Sequence, residues 1–292
     1  MTPLTVIILT RDEEVHIARA IASVAGIATR VLVVDSGSTD ATVSIARTAG
    51  AKVLFHPFTT HAAQFNWALD QIVGQDTWVL RLDADEVASP DLTRHLQAGL
   101  PDVAGIFLRR HIRFQGALVR FGGVSRLPVL RLFRNGAARA EARWMDEHIV
   151  VDGPTARLDA SIEDHNLRPL HDWVAKHNDY ASREVADILL AETQGPKRGG
   201  AKRWVKTHIY ARLPLVLRAG LYFFYRFILR GGCLDQGAAR HFHVLQGFWY
   251  RFLVDAKLAE VRRHMRRTGA TPHTALRDVL GLHAPAMERR AA

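Results

Sequence analysis

Two aspartates one residue apart, Asp83 and Asp85 in the run WVLRLDADE, carry the sharpest chemical signal in the chain. Side chains alternate along an extended backbone, so residues i and i+2 face the same way and both carboxylates can address one point. Such a pair suits a hard divalent cation, Mg2+ or Mn2+, and the diphosphate that the cation bridges. Metal bound in this way neutralises charge building on a departing diphosphate. An isolated D-x-D is usually a solvated acidic turn, but here an apolar strand-like run leads straight into it.

Two further polar clusters have the same setting. Thr10-Arg11-Asp12-Glu13-Glu14 follows LTVIIL, and Asp35-Ser36-Gly37-Ser38-Thr39-Asp40 follows RVLVV. Ligands of open α/β sheets bind beyond the carboxyl ends of the strands, so three acidic strand ends on one edge form a candidate site. Asp35 is placed to accept hydrogen bonds from a ribose or a base. DSGSTD also reads as a turn closed by a helix N-cap, a role that Ser and Asp fill equally well.

These clusters need elements to hold them. Leu4 to Leu9, Arg30 to Asp35, AKVLFH and TWVLRLDAD read as strands. Between them lie helical patterns over Glu14 to Val24, after a cap at Thr39 or Asp40, and over His61 to Ile72. Alternation of this kind predicts a mostly parallel sheet with helices on both faces. Gln64 and Asn66, on the third helix, read as exposed helical polar residues. Beyond Pro101 come shorter β-like runs, AGIFLRRHIRF and RLPVLRLF, which extend the sheet with antiparallel or mixed strands, then one long helix over 169–192 and a flexible basic linker, GPKRGGAK, from Gly195 to Lys202. The expected division is therefore an α/β domain over 1–196, in two parts at 1–100 and 101–196, and a helical tail over 197–292.

With 292 residues, 48% hydrophobic and 23% charged, the chain can bury a substantial core. Its single cysteine, Cys233, excludes an internal disulfide and a cysteine zinc site and fits a reducing compartment. MTPLTVIILTRDEEV lacks the basic start, long apolar stretch and small-residue site of a secretory signal, which points to the cytoplasm. The net charge of +10 is unevenly spread: residues 1–196 carry −4 and residues 197–292 carry +14. A tail of that charge expects an anionic partner. LPLVLRAGLYFFYRFIL approaches membrane-spanning length but is interrupted by Arg218 and Arg226. Aromatic residues interleaved with arginine fit a helix lying at an anionic membrane surface, with a helical cap on the α/β domain as the alternative.

In this order and spacing, TVIILTRDEE, VLVVDSGSTDAT and WVLRLDADE resemble the family 2 inverting glycosyltransferases of the GT-A (Rossmann-like) fold. WMDEHIVV, EDHNLRPLHDWVAKHNDYASREV and LDQGAARHFHVLQGFWYRFLVDAK extend the likeness over most of the chain, towards bacterial enzymes of lipopolysaccharide core or exopolysaccharide assembly. The resemblance implies a nucleotide-sugar donor, UDP-linked, and a lipid-linked saccharide or lipopolysaccharide core acceptor at the inner face of the cytoplasmic membrane. It implies Thr10, Glu13 and Asp35 around base and ribose, Asp83 on ribose and Asp85 on Mn2+ or Mg2+. Arg11, where many relatives carry asparagine, departs from the pattern. An inverting transfer needs a base for the acceptor hydroxyl. Family position points to Glu147, with Asp146 second, against a role for either in pairing with arginines such as Arg143. His165 is the candidate further metal ligand, imidazole being compatible with manganese, and its alternative is a structural hydrogen bond.

Other classes fit less well. A nicotinamide dehydrogenase would need G-x-G-x-x-G where this chain has TRDEE, and the glycine-rich basic loop of a nucleotidyltransferase is missing. A nucleic-acid-binding module built on GPKRGGAKR and RRHMRR is the non-enzyme rival, as is a nucleotide-binding α/β protein without transferase activity. The aliphatic and aromatic density of residues 209–229 favours membrane over duplex, so no nucleic-acid partner is expected.

Overall fold

The computed structural model describes residues 3–75, 77–141, 148–193 and 214–282. The basic linker read at Gly195 to Lys202 and both candidate bases, Asp146 and Glu147, lie outside the described residues. Two compact units emerge, Met1–Pro169 with Gly232–Arg240, and Leu170–Gly231 with His241–Ala292. The long helix therefore clusters with the C-terminal helices, whereas the sequence suggested a boundary at 196/197.

The first unit alternates strand and helix through its N-terminal part: β1 (Leu4–Thr10), α1 (Ile17–Val24), β2 (Arg30–Asp35), α2 (Thr42–Thr48), β3 (Lys52–Phe55), α3 (His61–Asp70) and β4 (Trp78–Asp83). The chain continues through β5 (Glu86–Ala88), α4 (Pro90–Ala98), β6 (Gly105–Phe114), β7 (Ala117–Val119) and β8 (Leu127–Arg134). A small hairpin, β9 (Ala138–Ala140) and β10 (Ile149–Val151), precedes β11 (Thr155–His165).

The main sheet runs β3-β2-β1-β4-β8-β6-β11-β5, with β7 on β6. The strands β3, β2, β1 and β4 are mutually parallel, as the alternation predicts. Beyond β4 the sheet is mixed, as the shorter β-like runs after Pro101 allow. β8 is antiparallel to β4 and β6, β11 is parallel to β6, and β5 is antiparallel to β11. Only Ala84 and Asp85 separate β4 from β5 in the chain, yet β8, β6 and β11 lie between them in the sheet. The sheet must curl to bring its far edge back beside β4, and the D-x-D spans the closure.

Alternation along β1 explains the two core layers. Leu4, Val6 and Ile8 pack with Ile17, Ile21 and Val24 of α1 and with Leu92 and Leu96 of α4. Ile7 faces the other way, towards Phe65, Ala68 and Leu69 of α3 and towards Phe133. Helices thus cover both faces, and Phe65 and Phe133 meet edge to face with centroids 6.3 Å apart.

The second unit is helical: α5 (Leu170–Thr193), α6 (Leu215–Phe224) running into a π-turn (Tyr225–Leu229), the end of α7 (Ala238–Val244), a second π-turn (Leu245–Trp249), α8 (Tyr250–Thr268) and α9 (Pro272–Leu280). Polar anchors tie α8 to α5: Glu184 accepts from Tyr250 Oη at 2.8 Å and pairs with Arg251 at 2.7 Å, and Lys257 Nζ donates to Ser182 Oγ at 2.7 Å. Trp173 and His177 stack at 3.5 Å, and burial pushes His177 down to about 4, so the ring is held neutral. Among the described residues, no helix is long and apolar enough to cross a membrane.

Candidate functional site

Strand register brings the predicted residues to one edge. Thr10 pairs with Asp35 across β1 and β2, and Leu9 pairs with Asp83 across β1 and β4, so three strand ends finish level. What each carboxylate does there differs.

Asp35 is 4% exposed and already saturated. Oδ2 accepts the N–H groups of Gly37 and Ser38, both at 2.9 Å, while Oδ1 accepts the hydroxyls of Ser38 at 2.5 Å and Thr10 at 3.2 Å. A carboxylate has about four acceptor positions, so Asp35 has satisfied its capacity within its own turn. Gly37 sits at φ +97°, which a side chain would strain. The turn alternative for DSGSTD is thus realised, with Thr10 contributing to it.

The two loops at this end are interlocked. Asp12, at φ 54°, donates its N–H to Ser38 Oγ at 2.8 Å and accepts the Thr39 N–H at 2.7 Å. Glu13 N–H donates to Thr42 Oγ1 at 2.7 Å, and Glu14 accepts the Ala41 N–H at 2.9 Å. α2 starts two residues after the expected cap, with Asp40 accepting the Thr42 N–H at 2.9 Å. Arg11 stays largely exposed beside Asp12.

Glu13 serves a chain that sequence reading missed. Its carboxylate meets Nδ1 of the fully buried His16 at 2.6 Å, and His16 Nε2 lies 2.8 Å from the Leu167 N–H. Since Nε2 must accept from an N–H, Nδ1 carries the proton and donates to Glu13. The segment after β11 is thereby pinned to the end of β1, and Arg168 adds to the clamp by donating to the Asp12 carbonyl.

The D-x-D holds its two carboxylates in different company. Asp83 lies 2.7 Å from Arg131 and 3.6 Å from Arg81, and Arg131 also reaches Glu86 at 2.6 Å. Burial alone would raise Asp83, but Arg131 and then Arg81 outweigh it and hold the carboxyl well below the usual range. Burial pushes its neighbour Glu86 up to about 8, against the pull of Arg131 and with help from Asp83 and Asp164. Asp83 thus keeps its charge because a buried guanidinium on β8 supplies the counter-charge.

Asp85, in the crossing between β4 and β5, has one side-chain hydrogen bond among the described residues, Oδ2 accepting from Asn166 Nδ2 at 3.0 Å, and the Arg19 charge nearby. Its carbonyl receives the His165 N–H at 3.0 Å. His165 shares its Nδ1 with Arg19 at 3.0 Å, which makes Nδ1 the unprotonated nitrogen. Burial first, and Arg19 next, keep His165 below the usual histidine range. The lone pair a metal would need is engaged by Arg19. Among the described residues no group of three or more His, Cys, Asp or Glu is arranged to hold a metal ion.

Asp85 nonetheless fits a cation of one kind. Mg2+ commonly takes only one or two protein carboxylates and fills its shell with phosphate oxygens and water. Asp85 Oδ1, at the ligand-binding edge with no hydrogen bond made, suits a metal that arrives with a diphosphate.

Asp146 and Glu147 lie between the described ends of the β9–β10 hairpin. Its neck is closed by the Glu141 N–H to the His148 carbonyl at 2.9 Å. Asn66 grips that neck, donating to the Ala140 carbonyl at 3.0 Å and accepting the Ala140 N–H at 2.9 Å. Gln64 is 1% exposed, with Nε2 3.4 Å from the Val34 carbonyl. Neither is the exposed helical polar residue that the sequence suggested. Both were legible only as polar positions on a helix whose apolar stripe is broad. Arg131 and Arg81 had a clearer signal, since each is a lone charge inside an apolar strand run. A cavity of about 260 Å3 lined by Val73, Gln75, Asn135 and Arg139 lies at the opposite end of β4 from Asp83 and holds none of these groups.

The chain is similar to several known proteins. The lipopolysaccharide core biosynthesis glycosyltransferase LpsC of Rhizobium meliloti is 27% identical over 267 residues, covering 88% of this chain and 92% of its own. An uncharacterized glycosyltransferase of Rickettsia typhi is 43% identical over 97 residues, and the chain spans 32% of that relative's length. Mycobacterium tuberculosis glucosyl-3-phosphoglycerate synthase, solved with Mn2+, UDP and glucosyl-3-phosphoglycerate, overlays 38% of this chain and 44% of its own at a TM-score of 0.32 and 22% identity. The Glycosyl transferase family 2 profile matches residues 5–158, over half of the chain, from β1 into β11, and the chain belongs to that family.

Proposed function

We propose that this protein transfers a sugar, with inversion at the anomeric carbon, from a nucleotide diphosphate sugar to a saccharide acceptor. The donor is a UDP-sugar, the transferred unit a hexose, and the acceptor a lipid-linked saccharide or lipopolysaccharide core at the inner face of the cytoplasmic membrane. The observation that carries this reading is the level edge of Thr10, Asp35 and Asp83 with Asp85 beside it, in a chain of family 2. The likeness to LpsC over nearly the whole chain supports the acceptor class.

In this reading Asp83, kept ionised by Arg131, accepts from the ribose hydroxyls. Asp35 and Thr10 contribute by shaping the pocket wall, and a ribose or base contact to Asp35 replaces one of its internal hydrogen bonds. Glu13 faces the nucleoside with the oxygen that His16 leaves free, and Arg11 reaches the donor from its exposed position. Mn2+ or Mg2+ held by Asp85 and the donor diphosphate supplies positive charge for the leaving group. His165 joins that shell only where Arg19 releases Nδ1. Glu147, or failing it Asp146, takes the acceptor proton as the hydroxyl oxygen bonds to the anomeric carbon and the bond to the nucleoside diphosphate breaks.

A thermal-shift screen of nucleotide sugars with manganese tests the donor class, because a ligand that binds only the native state raises its stability. A shift with UDP-sugars that needs the metal is the expected result. No shift with any nucleotide sugar, together with salt-sensitive binding of duplex DNA, would replace the enzyme by a nucleic-acid-binding protein. Glu147→Gln is expected to lower turnover about 10²–10⁴-fold while donor binding persists.

A further inference from the structure

In the helical unit, α6 and its π-turn present an apolar face that the described protein leaves in water. Leu217, Leu221, Phe224, Tyr225, Ile228 and Leu229 are each 46–65% exposed. At 3.6 residues per turn, Leu217, Leu221, Phe224 and Tyr225 fall within an arc of about 100°. The wider π-turn over Tyr225–Leu229 then keeps Ile228 and Leu229 on that same side, whereas an uninterrupted α-helix would rotate Leu229 away. The opposite side is the buried one: Ala219 is 0% and Arg226 is 5% exposed. Six large apolar side chains together on the exposed side form a patch of the kind that marks a contact surface.

The charge of the sequence that flanks it indicates the cover. Residues 197–234 hold nine Lys or Arg and no Asp or Glu; Arg218 pairs with Asp255 and Arg226 is buried, while Arg230, at the end of the π-turn, is exposed. A protein partner matched to that charge would be strongly acidic and also apolar enough to cover six large side chains. A phospholipid surface presents both properties together, anionic headgroups above an acyl layer. Fifteen residues of helix extend about 22 Å, short of the ~30 Å hydrocarbon core, so the segment lies along the interface and does not cross it.

We infer that Leu217, Leu221, Phe224, Tyr225, Ile228 and Leu229 form a docking face that lies flat on an anionic phospholipid bilayer. This deepens the proposed function, resting on it only for the claim that the acceptor is membrane-held. The face gives the helical unit a fixed contact with the lipid surface, with tyrosine and phenylalanine at headgroup level and arginine beside phosphate.

The test is flotation of the full chain with vesicles of phosphatidylglycerol and phosphatidylethanolamine, with phosphatidylcholine vesicles as the uncharged reference. Wild type is expected to float with the anionic vesicles and much less with the uncharged ones. Leu221→Glu/Phe224→Glu should lower the partition coefficient about tenfold or more, because two charges replace apolar anchors. Val73→Glu, at an exposed apolar residue of the other unit, should leave it unchanged. Should the double variant fail to fold, hydrogen exchange on wild type gives the same answer: vesicles should protect amides of residues 215–229. Equal flotation with both vesicle types, equal flotation of the double variant, or no added protection would overturn the inference. So would a wild-type dimer that the double variant dissociates while vesicle binding is unchanged, since a second copy would then be the occupant. Manganese-dependent donor turnover by the same preparations reports separately on the transferase: turnover without flotation removes the face alone, and flotation without turnover removes the transferase alone.

Discussion

The β1–β2 end of the sheet and the β4–β5 crossing each bury or half-bury an aspartate, and they stabilise it by different means. Asp35 is fed by two backbone N–H groups and two hydroxyls from its own neighbourhood, all neutral donors. Asp83 is fed by guanidiniums from β4 and from β8, the latter a strand nearly fifty residues on. A carboxylate satisfied by neutral local donors is part of the backbone's own turn geometry. One balanced by a distant buried charge depends on the sheet having curled correctly, and between them Asp85 keeps an oxygen for an outside partner. Among the described residues this leaves Asp85 Oδ1, beside the two anchored aspartates, without a hydrogen bond and open to a cation.

That contrast breaks most visibly at Arg131. Arg131→Met leaves Asp83 and the 1% exposed Glu86 without their shared cation, and losing one partner of a buried ionic group costs about 3–5 kcal/mol. Urea unfolding should show that loss, with Arg131→Lys recovering part of it. A loss under 1 kcal/mol would mean that the pair is solvated and that the two ends are alike. Asp35→Ala orphans the Gly37 and Ser38 N–H groups and should cost about 1–3 kcal/mol, largely through the turn. If it instead left stability unchanged and abolished donor binding, Asp35 would belong with the ligand-facing groups. Asn66→Ala is expected to have the smallest effect on stability, about 1 kcal/mol for a hydrogen-bonded amide. It should still slow turnover several-fold, because the neck of the hairpin carrying Asp146 and Glu147 loses its tie to α3. Unchanged kcat would show that the hairpin holds its position without Asn66.

The same contrast explains what the sequence could show. β1 to β4 were legible because each is a local apolar run ending in polar residues, and parallel pairing of successive β-α units follows from chain alternation. The long helix read at 169–192 is found at Leu170–Thr193 because a 3.6-residue pattern is also local. A mixed extension after Pro101 was legible from the shorter runs, but its strand order was not, since the antiparallel pairing of β8 with β4 and β6 is a long-range choice with no short signature. Consequently the partner of Asp83 was invisible, although Arg131 inside VLRLF advertised a buried charge. Strand register puts the ends of β1, β2 and β4 at one edge, but which of Thr10, Asp35, Asp83 and Asp85 spends its lone pairs internally depends on the turn that Gly37 permits and on the segment Asn166 to Arg168, which follows β11.

The most direct measurement is manganese-dependent transfer or hydrolysis of a UDP-sugar by wild type and Asp85→Ala. Removing the only carboxylate of the crossing with an open oxygen should cut turnover by about 10²–10³-fold. It should leave the unfolding midpoint nearly unchanged, because among the described residues the side-chain hydrogen bond lost is the one from Asn166. Full metal-dependent activity in Asp85→Ala would contradict the account.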